Sequence, residues 1–144
     1  MEIKIIHYNV IHPYWKLLWP HMKVTAPISV IDYLGIINHS LLRYSPTYIA
    51  AYKDNKIVGV NSYIRTSDDM YRTRGIWVSP DERKNGVGSL LLNYVSEVVD
   101  TKIWSMPRQS AFKLYINNGY KQTSQFFEKH EFGPHCFMLK EKNE

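Results

Sequence analysis

The chain has 144 residues, 44% of them hydrophobic and 22% charged, which suits one compact domain spanning 1–144 and excludes a disordered or fibrous polymer. Its formal net charge is +5 and its pI is near 9.2. That charge admits a nucleic acid, an acidic membrane surface or a polyanionic small ligand as partner and, because Lys and Arg are spread along the chain, an ordinary solvated basic surface equally well.

In chain order, Glu2 to His7 alternates apolar and polar residues as a first strand does, and is expected to pair with the next one. Residues 12 to 45 hold Pro13, Pro20 and Pro27 with two apolar clusters between them, Tyr14 to Trp19 and Ile28 to Ile37. Each suits a short helix, with Pro13 and Pro27 near the starts. The aromatic residues there, Tyr14, Trp15, Trp19 and Tyr33, could line a pocket, but at helical spacing core packing is the commoner use. Thr47 to Lys53, the turn residues Asp54 and Asn55, and Lys56 to Ile64 read as a hairpin, because Asp and Asn tolerate the positive φ of a tight turn. A polar turn at Thr66 to Asp69 leads into Met70 to Val78, predicted as one further antiparallel strand.

Residues 76 to 98 then give a strand, a polar turn with two glycines, and an amphipathic helix in which Val87, Leu90, Leu91, Tyr94, Val95 and Val98 share a stripe. This order builds an anion site. The first turn of a helix has unpaired N–H groups and the positive end of the dipole, and glycines let a ligand approach the backbone. Arg83 and Lys84 add charge beside it. The same residues also make a plain tight turn. After the helix, Thr101 to Ser105 suits a buried strand, and strand, helix, strand in that order favours parallel pairing. Gln109 to Asn117 is a short helix with Gly119 just beyond it as C-cap. Tyr120 to Glu128 and His135 to Lys142 close the chain as a hairpin joined by His130 to Pro134. The single cysteine, Cys136, lies in an apolar run and reads as a small buried residue. That, with the lack of an apolar leader or of a run of about 20 apolar residues, sets a cytoplasmic expectation.

Arg83-Lys84-Asn85-Gly86-Val87-Gly88 matches the R-x-x-G-x-G motif of the GNAT superfamily, the acyl-CoA-dependent N-acetyltransferases, and Val78-Ser79-Pro80 looks like the strand end that precedes it there. Leu114-Tyr115-Ile116-Asn117-Asn118-Gly119-Tyr120 is similar to the L-Y-x-x-x-G-[FY] ending the family's next helix. The resemblance covers residues 46 to 140 well and the first 45 in layout only. It implies an α/β (α+β) GNAT-like fold, a mixed, mostly antiparallel sheet splayed at the cofactor cleft and flanked by about four helices.

The resemblance also implies acetyl-CoA as co-substrate and acetyl transfer to a primary amine by direct attack in a ternary complex. The pantetheine arm would run along Ile76, Trp77 and Val78, and the pyrophosphate would rest on the N–H groups of Lys84, Asn85, Gly86, Val87, Gly88 and Ser89 with Arg83 close by. The region of residues 12 to 45 would form one wall of the acceptor site. Tyr115 falls where the family's tyrosine approaches the thioester sulfur, and a phenol can donate to a departing thiolate while staying protonated at neutral pH. Where many members carry a cofactor-contacting asparagine, Arg108 stands instead, and its guanidinium could reach a CoA amide or phosphate. The strands 71–78 and 102–105 lack the family's usual base carboxylate. Asp68, Asp69, Glu128, His130, Glu131 and His135 sit in segments that can border the acceptor cleft, but a surface loop position is the commoner use of such residues. No metal-ligand spacing is present.

Three readings follow: an N-acetyltransferase acting on a small-molecule or protein amine, a CoA-binding module of the same shape without turnover, and, with least support, a small basic nucleic-acid binder. A membrane partner is not expected, and a homodimer is left open.

Overall fold

The computed structural model describes residues 1–20, 45–129 and 132–142. Strand β1 (Glu2–Ile6) pairs antiparallel with β2 (Thr47–Lys53), and β2 pairs with the long β3 (Lys56–Ser67). The turn between them places Asp54 at φ 53° and Asn55 at φ 64°, the two positive values that a two-residue hairpin twisting with its strands requires. β4 (Met70–Thr73) returns along β3. β5 (Trp77–Val78) continues on the same side of β3, nearer its start. The strand expected over 70–78 is therefore two pieces.

Helix α2 (Val87–Val98) crosses back to β6 (Lys102–Ser105), which lies parallel to β4 with Arg72 opposite Trp104. A short 3₁₀ turn at Gln109–Ala111 leads into α3 (Phe112–Asn117). The C-terminal hairpin is present but divided. β7 (Lys121–Gln122) pairs with β10 (Met138–Lys140), and β8 (Phe127–Glu128) with β9 (Pro134–His135). Between them Thr123 N donates to Phe137 O at 2.9 Å and Ser124 Oγ accepts from Phe137 N at 2.8 Å, a side-chain bond in place of one rung. β10 also joins β6, so the main sheet runs β1-β2-β3-β4-β6-β10-β7.

Helix α1 (Tyr8–Leu18) begins five residues before Pro13 instead of at it. The His7 side chain caps it, accepting from Asn9 N at 3.1 Å, and the Pro13 ring removes one N–H where both Pro13 and Asn9 are exposed, so the Asn9 carbonyl loses its helical donor to water. Three α-helices are present among the described residues; the helix expected within Ile28 to Ile37, with Pro27 and Tyr33, lies outside them.

Two apolar clusters line the opposite faces of the sheet. One holds Ile11 and Trp15 of α1 against Ala50 and Val60. The other holds Val87, Leu91, Leu92 and Val95 of α2 with Ile49, Ile103, Tyr115, Cys136 and Met138, which places Cys136 in the core as its neighbours suggested. The alternation of β3 explains the division, since Gly59 opens to Val87 and Leu91 while Val60 faces α1.

The break between β4 and β5 is set by α1. Trp15, fully buried, donates from Nε1 to the Gly75 carbonyl at 2.8 Å. A Cβ on Gly75 would lie 2.4 Å from that nitrogen, and the residue has φ +80°. Both main-chain groups beside it are stitched to β3: Arg74 N donates to Ser62 O at 3.2 Å, and Ser62 Oγ donates to Arg74 O at 2.6 Å. After Thr73 the chain therefore stays with β3 and leaves β6. Gly75→Ala combines a left-handed backbone with a clash into a buried ring, and urea denaturation is expected to show a loss of about 3 kcal/mol. Gly133→Ala, at φ +77° with nothing within 4 Å of its Cβ, isolates the backbone part and should lose about 1 kcal/mol.

Candidate active site

Where β4 and β6 part, one face of the opening is lined by small polar side chains. Thr73 Oγ1 donates to Ser62 O at 3.0 Å and has no second proton, so Asn61 must present its amide nitrogen to it, at 2.8 Å. That leaves Asn61 Oδ1, on a residue with no exposed surface, without a hydrogen-bond partner among the described residues. Ser105 Oγ donates to Thr73 O at 2.9 Å and lies 3.5 Å from the Tyr115 hydroxyl.

Tyr115 reaches this point because of how α3 ends. Gly119 N donates to Ile116 O, and Tyr120 N to Tyr115 O, at 3.2 and 3.1 Å, the paired bonds of a left-handed C-cap with Gly119 at φ +90°. The Tyr120 ring packs edge-on to that of Tyr115 at 5.1 Å, supplying the apolar contact such a cap carries. Burial pushes the Tyr115 phenol up from its ordinary pKa, offset in part by the positive charge of Arg72. It is thus a protonated donor throughout the neutral range.

β5 offers an open edge. Ser79 N donates to Val58 O at 2.8 Å and Trp77 is opposite Val60. By antiparallel alternation the main-chain groups of Ile76 and Val78 face away from β3, toward the gap. Their side chains pack on the α2 face, while Trp77 turns to α1 and meets the Tyr14 ring at 5.0 Å. Trp15 and Trp19 are packing residues as well, edge to face at 5.4 Å with the Arg74 guanidinium 4.3 Å over Trp19.

The turn after β5 is tied to the strand it leaves, with Arg83 Nε donating to Val78 O at 3.2 Å. Lys84 takes φ +75° and Gly86, the N-cap of α2, φ +82°. α2 has no side-chain cap and no acidic residue in its first turn, and its ladder begins with Leu90 N donating to Gly86 O at 2.9 Å. The N–H groups of Val87, Gly88 and Ser89 precede that first bond, the arrangement in which an anion is held by backbone and dipole together. Asn85 donates to Glu82 at 3.0 Å, and Lys53 pairs with the same carboxylate at 3.1 Å. Those two partners, Asn85 first, hold the Glu82 carboxyl below its ordinary range.

The two glycines of the turn do different work. A Cβ on Gly86 would meet nothing within 4 Å, whereas one on Gly88 would lie 2.9 Å from Leu114 Cδ2, so Gly88 lets α3 approach α2. Val87 is buried in the core, and Ser89 Oγ accepts from Asn118 Nδ2 at 3.1 Å, a second tie between the helices. Arg108 is turned another way. Its Nη2 donates to the Leu18 carbonyl at the C-terminal end of α1 and its guanidinium lies 5.1 Å over the Phe132 ring, beside a groove of about 370 Å³ lined also by Gln109, Ser110 and Pro134.

Among the candidate bases, Asp68, Asp69 and Glu128 are exposed, and His130 and Glu131 lie outside the described residues. His135 is 6% exposed. Its Nδ1 is 2.9 Å from Gly133 O, and because a carbonyl only accepts, Nδ1 carries the proton and Nε2 the lone pair. Burial lowers its pKa from the ordinary value. Asn61, Thr73, Ser105 and Gly75 escaped sequence reasoning. No group of three or more His, Cys, Asp and Glu able to hold a metal ion occurs among the described residues, and no described helix is long and apolar enough to cross a membrane.

Residues 45–133 match the acetyltransferase (GNAT) domain family, and the chain belongs to that family. Solved structures share the whole fold. An IAA acetyltransferase from Bacillus cereus superimposes with a TM-score of 0.70 at 15% identity, over 97% of this chain and 98% of its own. An aminoglycoside 6'-N-acetyltransferase complexed with coenzyme A gives 0.69 at 16%, over 98% and 97%, and ElaA of Escherichia coli 0.67 at 16%, over 97% and 99%. No curated protein matches the chain in sequence.

The unequal glycines make a direct test of this geometry. Gly88→Val drives a branched side chain into Leu114 and should lose about 3 kcal/mol in urea denaturation, whereas Gly86→Ala, in open space, should lose only about 1 kcal/mol from its left-handed backbone.

Proposed function

We propose that this chain, acting as one domain over residues 1–144, is an acetyl-CoA-dependent N-acetyltransferase that passes the acetyl group directly to a primary amine of a small molecule or protein. The observation that carries the reading is the alignment of three features along one path. These are the uncapped start of α2 behind Gly86, the outward main-chain groups of Ile76 and Val78, and the Tyr115 hydroxyl where the strands part. Open space at Gly86 and an unpartnered buried acceptor at Asn61 fit a ligand bearing both phosphates and amide N–H groups.

In this assignment the N–H groups from Lys84 to Ser89 hold the pyrophosphate, with Arg83 and Lys84 supplying charge. Ile76 and Val78 pair with the amides of the arm as an added strand would. Trp77, whose main-chain groups face β3, holds the strand between them in place. Acetyl-CoA supplies the acyl thioester. Arg108 belongs to the acceptor side in this reading, because its contacts are to α1 and Phe132. The amine nitrogen gives up its proton to His135, directly or through water, and Tyr115 gives one to the departing sulfur, so the proton count balances.

Thermal-shift titration with acetyl-CoA, CoA and a generic RNA tests the class, since a ligand of the native state raises the midpoint by mass action. A rise with CoA and none with RNA is expected; the reverse returns the nucleic-acid reading. Gly86→Val should weaken CoA binding at least tenfold, about 1.4 kcal/mol. Thiol release with a panel of primary amines then separates an enzyme from a silent CoA-binding module.

For the acid, Tyr115→Phe should keep CoA affinity while slowing single-turnover transfer on the order of a hundredfold; a loss of threefold or less removes Tyr115 from the chemistry. For the base, the direction of the His135 shift decides the profile. Its pKa in the folded protein lies below the ordinary 6.5, so the imidazole is neutral at pH 7, and kcat/KM should fall only on the acid side of 6.5 as it becomes charged. In His135→Gln that acid limb should vanish along with most of the rate.

A further inference from the structure

We propose that Ser105 is a positioning residue for the Tyr115 phenol, holding its O–H at the parting of β4 and β6. The inference rests on the reading of Tyr115 as the acid. Ser105 Oγ has two neighbours, the Thr73 carbonyl at 2.9 Å and the Tyr115 hydroxyl at 3.5 Å. A serine hydroxyl has one proton and a carbonyl oxygen can only accept. The nearer carbonyl therefore takes the serine proton, and the contact with Tyr115 has to be made by the phenol's own O–H donating to Ser105 Oγ.

Two consequences follow. The phenol proton rests toward Ser105 Oγ, beside the gap where the thioester sulfur must lie if the arm runs along Ile76 and Val78. It is also held loosely, since 3.5 Å is well beyond the roughly 2.7 Å of a good O–H···O bond. A thiolate, being charged, is the stronger acceptor and can draw that proton away from the serine. The proton leaves the phenol oxygen for sulfur as the carbon–sulfur bond breaks, giving the free thiol and a phenolate. The phenolate is restored when the His135 imidazolium, formed by the proton the amine loses on becoming an amide, returns that proton through water. Nothing else moves in the frame: Thr73 is fixed by Asn61 and Ser62, and the Tyr115 ring by Tyr120.

A purely structural Ser105, present only to satisfy the Thr73 carbonyl, makes different predictions in a double-mutant cycle. Single-turnover transfer from acetyl-CoA to the best amine of a primary-amine panel is measured for the parent, Ser105→Ala, Ser105→Thr, Tyr115→Phe and Ser105→Ala/Tyr115→Phe, each checked for a native thermal transition. Ser105→Ala should slow the parent roughly tenfold without changing CoA affinity, Ser105→Thr should recover most of that, and Ser105→Ala should add nothing once Tyr115 is Phe. An equal loss in both backgrounds, or none in either, overturns the proposal.

A second readout needs no turnover. With 3-fluorotyrosine at position 115, Ser105→Ala should shift the fluorine resonance of the ligand-free protein and Ser105→Thr should return it; an unchanged resonance overturns the contact. A parent that releases no thiol with any amine sinks the transferase reading itself, and the fluorine measurement then decides alone whether Ser105 holds the phenol.

Discussion

The hydrogen bond from Trp15 Nε1 to the Gly75 carbonyl governs where the sheet opens. β4 and β6 are held parallel by an ordinary ladder as far as Arg72 and Trp104, and regular backbone would extend that ladder. Instead the indole occupies the space that a side chain at position 75 would need, the backbone turns through φ +80°, and Ser62 takes both main-chain groups of Arg74. The strand resumes two residues later as β5, paired only on its β3 side. A sheet edge facing away from β3 is thereby made beside the core, with the Val78 carbonyl on it taken by Arg83 Nε. Its position is fixed by a buried aromatic residue from a helix about 60 residues away in sequence, well outside the local chemistry of the strand.

From that opening the remaining geometry follows by packing. α2 starts after the glycine turn that follows β5 and lies on Gly59. α3 lies on α2 because Gly88 has no side chain to hold it off, and the Ser89 to Asn118 bond fixes the rotation. The C-cap at Gly119 then brings Tyr120 edge-on against Tyr115. Two backbone specials, Gly75 and Gly119, and one close helix contact thus aim a single hydroxyl. An arrangement of this kind is rigid because each side chain is held by a neighbour that itself cannot shift without opening a cavity.

How much of this was legible in the sequence depended on whether the determining contact was local. The glycine turn, the amphipathic stripe of α2, the Asp54-Asn55 hairpin and the cap at Gly119 are each decided within a few residues, so pattern reading reached them. The start of α1 was misplaced because Pro13 is a start signal only when no better cap precedes it, and His7 supplied one. The division of Met70 to Val78 could not be read, since nothing in Thr73-Arg74-Gly75-Ile76 says that a tryptophan will occupy the space above. Asn61, Thr73 and Ser105 are inconspicuous in strands; they acquire meaning only when a parallel crossover sets β6 against β4. Arg108 was read at a family position; its contacts with the end of a helix and with an aromatic ring, neither adjacent in sequence, were beyond pattern reading.

On the proposed assignment, burial sets the protonation state of both groups in the proton exchange. Removing solvent penalises whichever protonation state is charged, so the same physical cause acts in opposite directions on a phenol and an imidazole. It raises the pKa of Tyr115 and lowers that of His135, and each group is driven toward its neutral form at pH 7. A neutral phenol is a proton donor and a neutral imidazole a proton acceptor, which are the two roles that transfer from a thioester to an amine requires. A carboxylate in the same surroundings would be pushed toward its protonated, non-basic form unless a cation compensated it. On the proposed assignment, so buried a site therefore gains more from an imidazole than it would from a carboxylate.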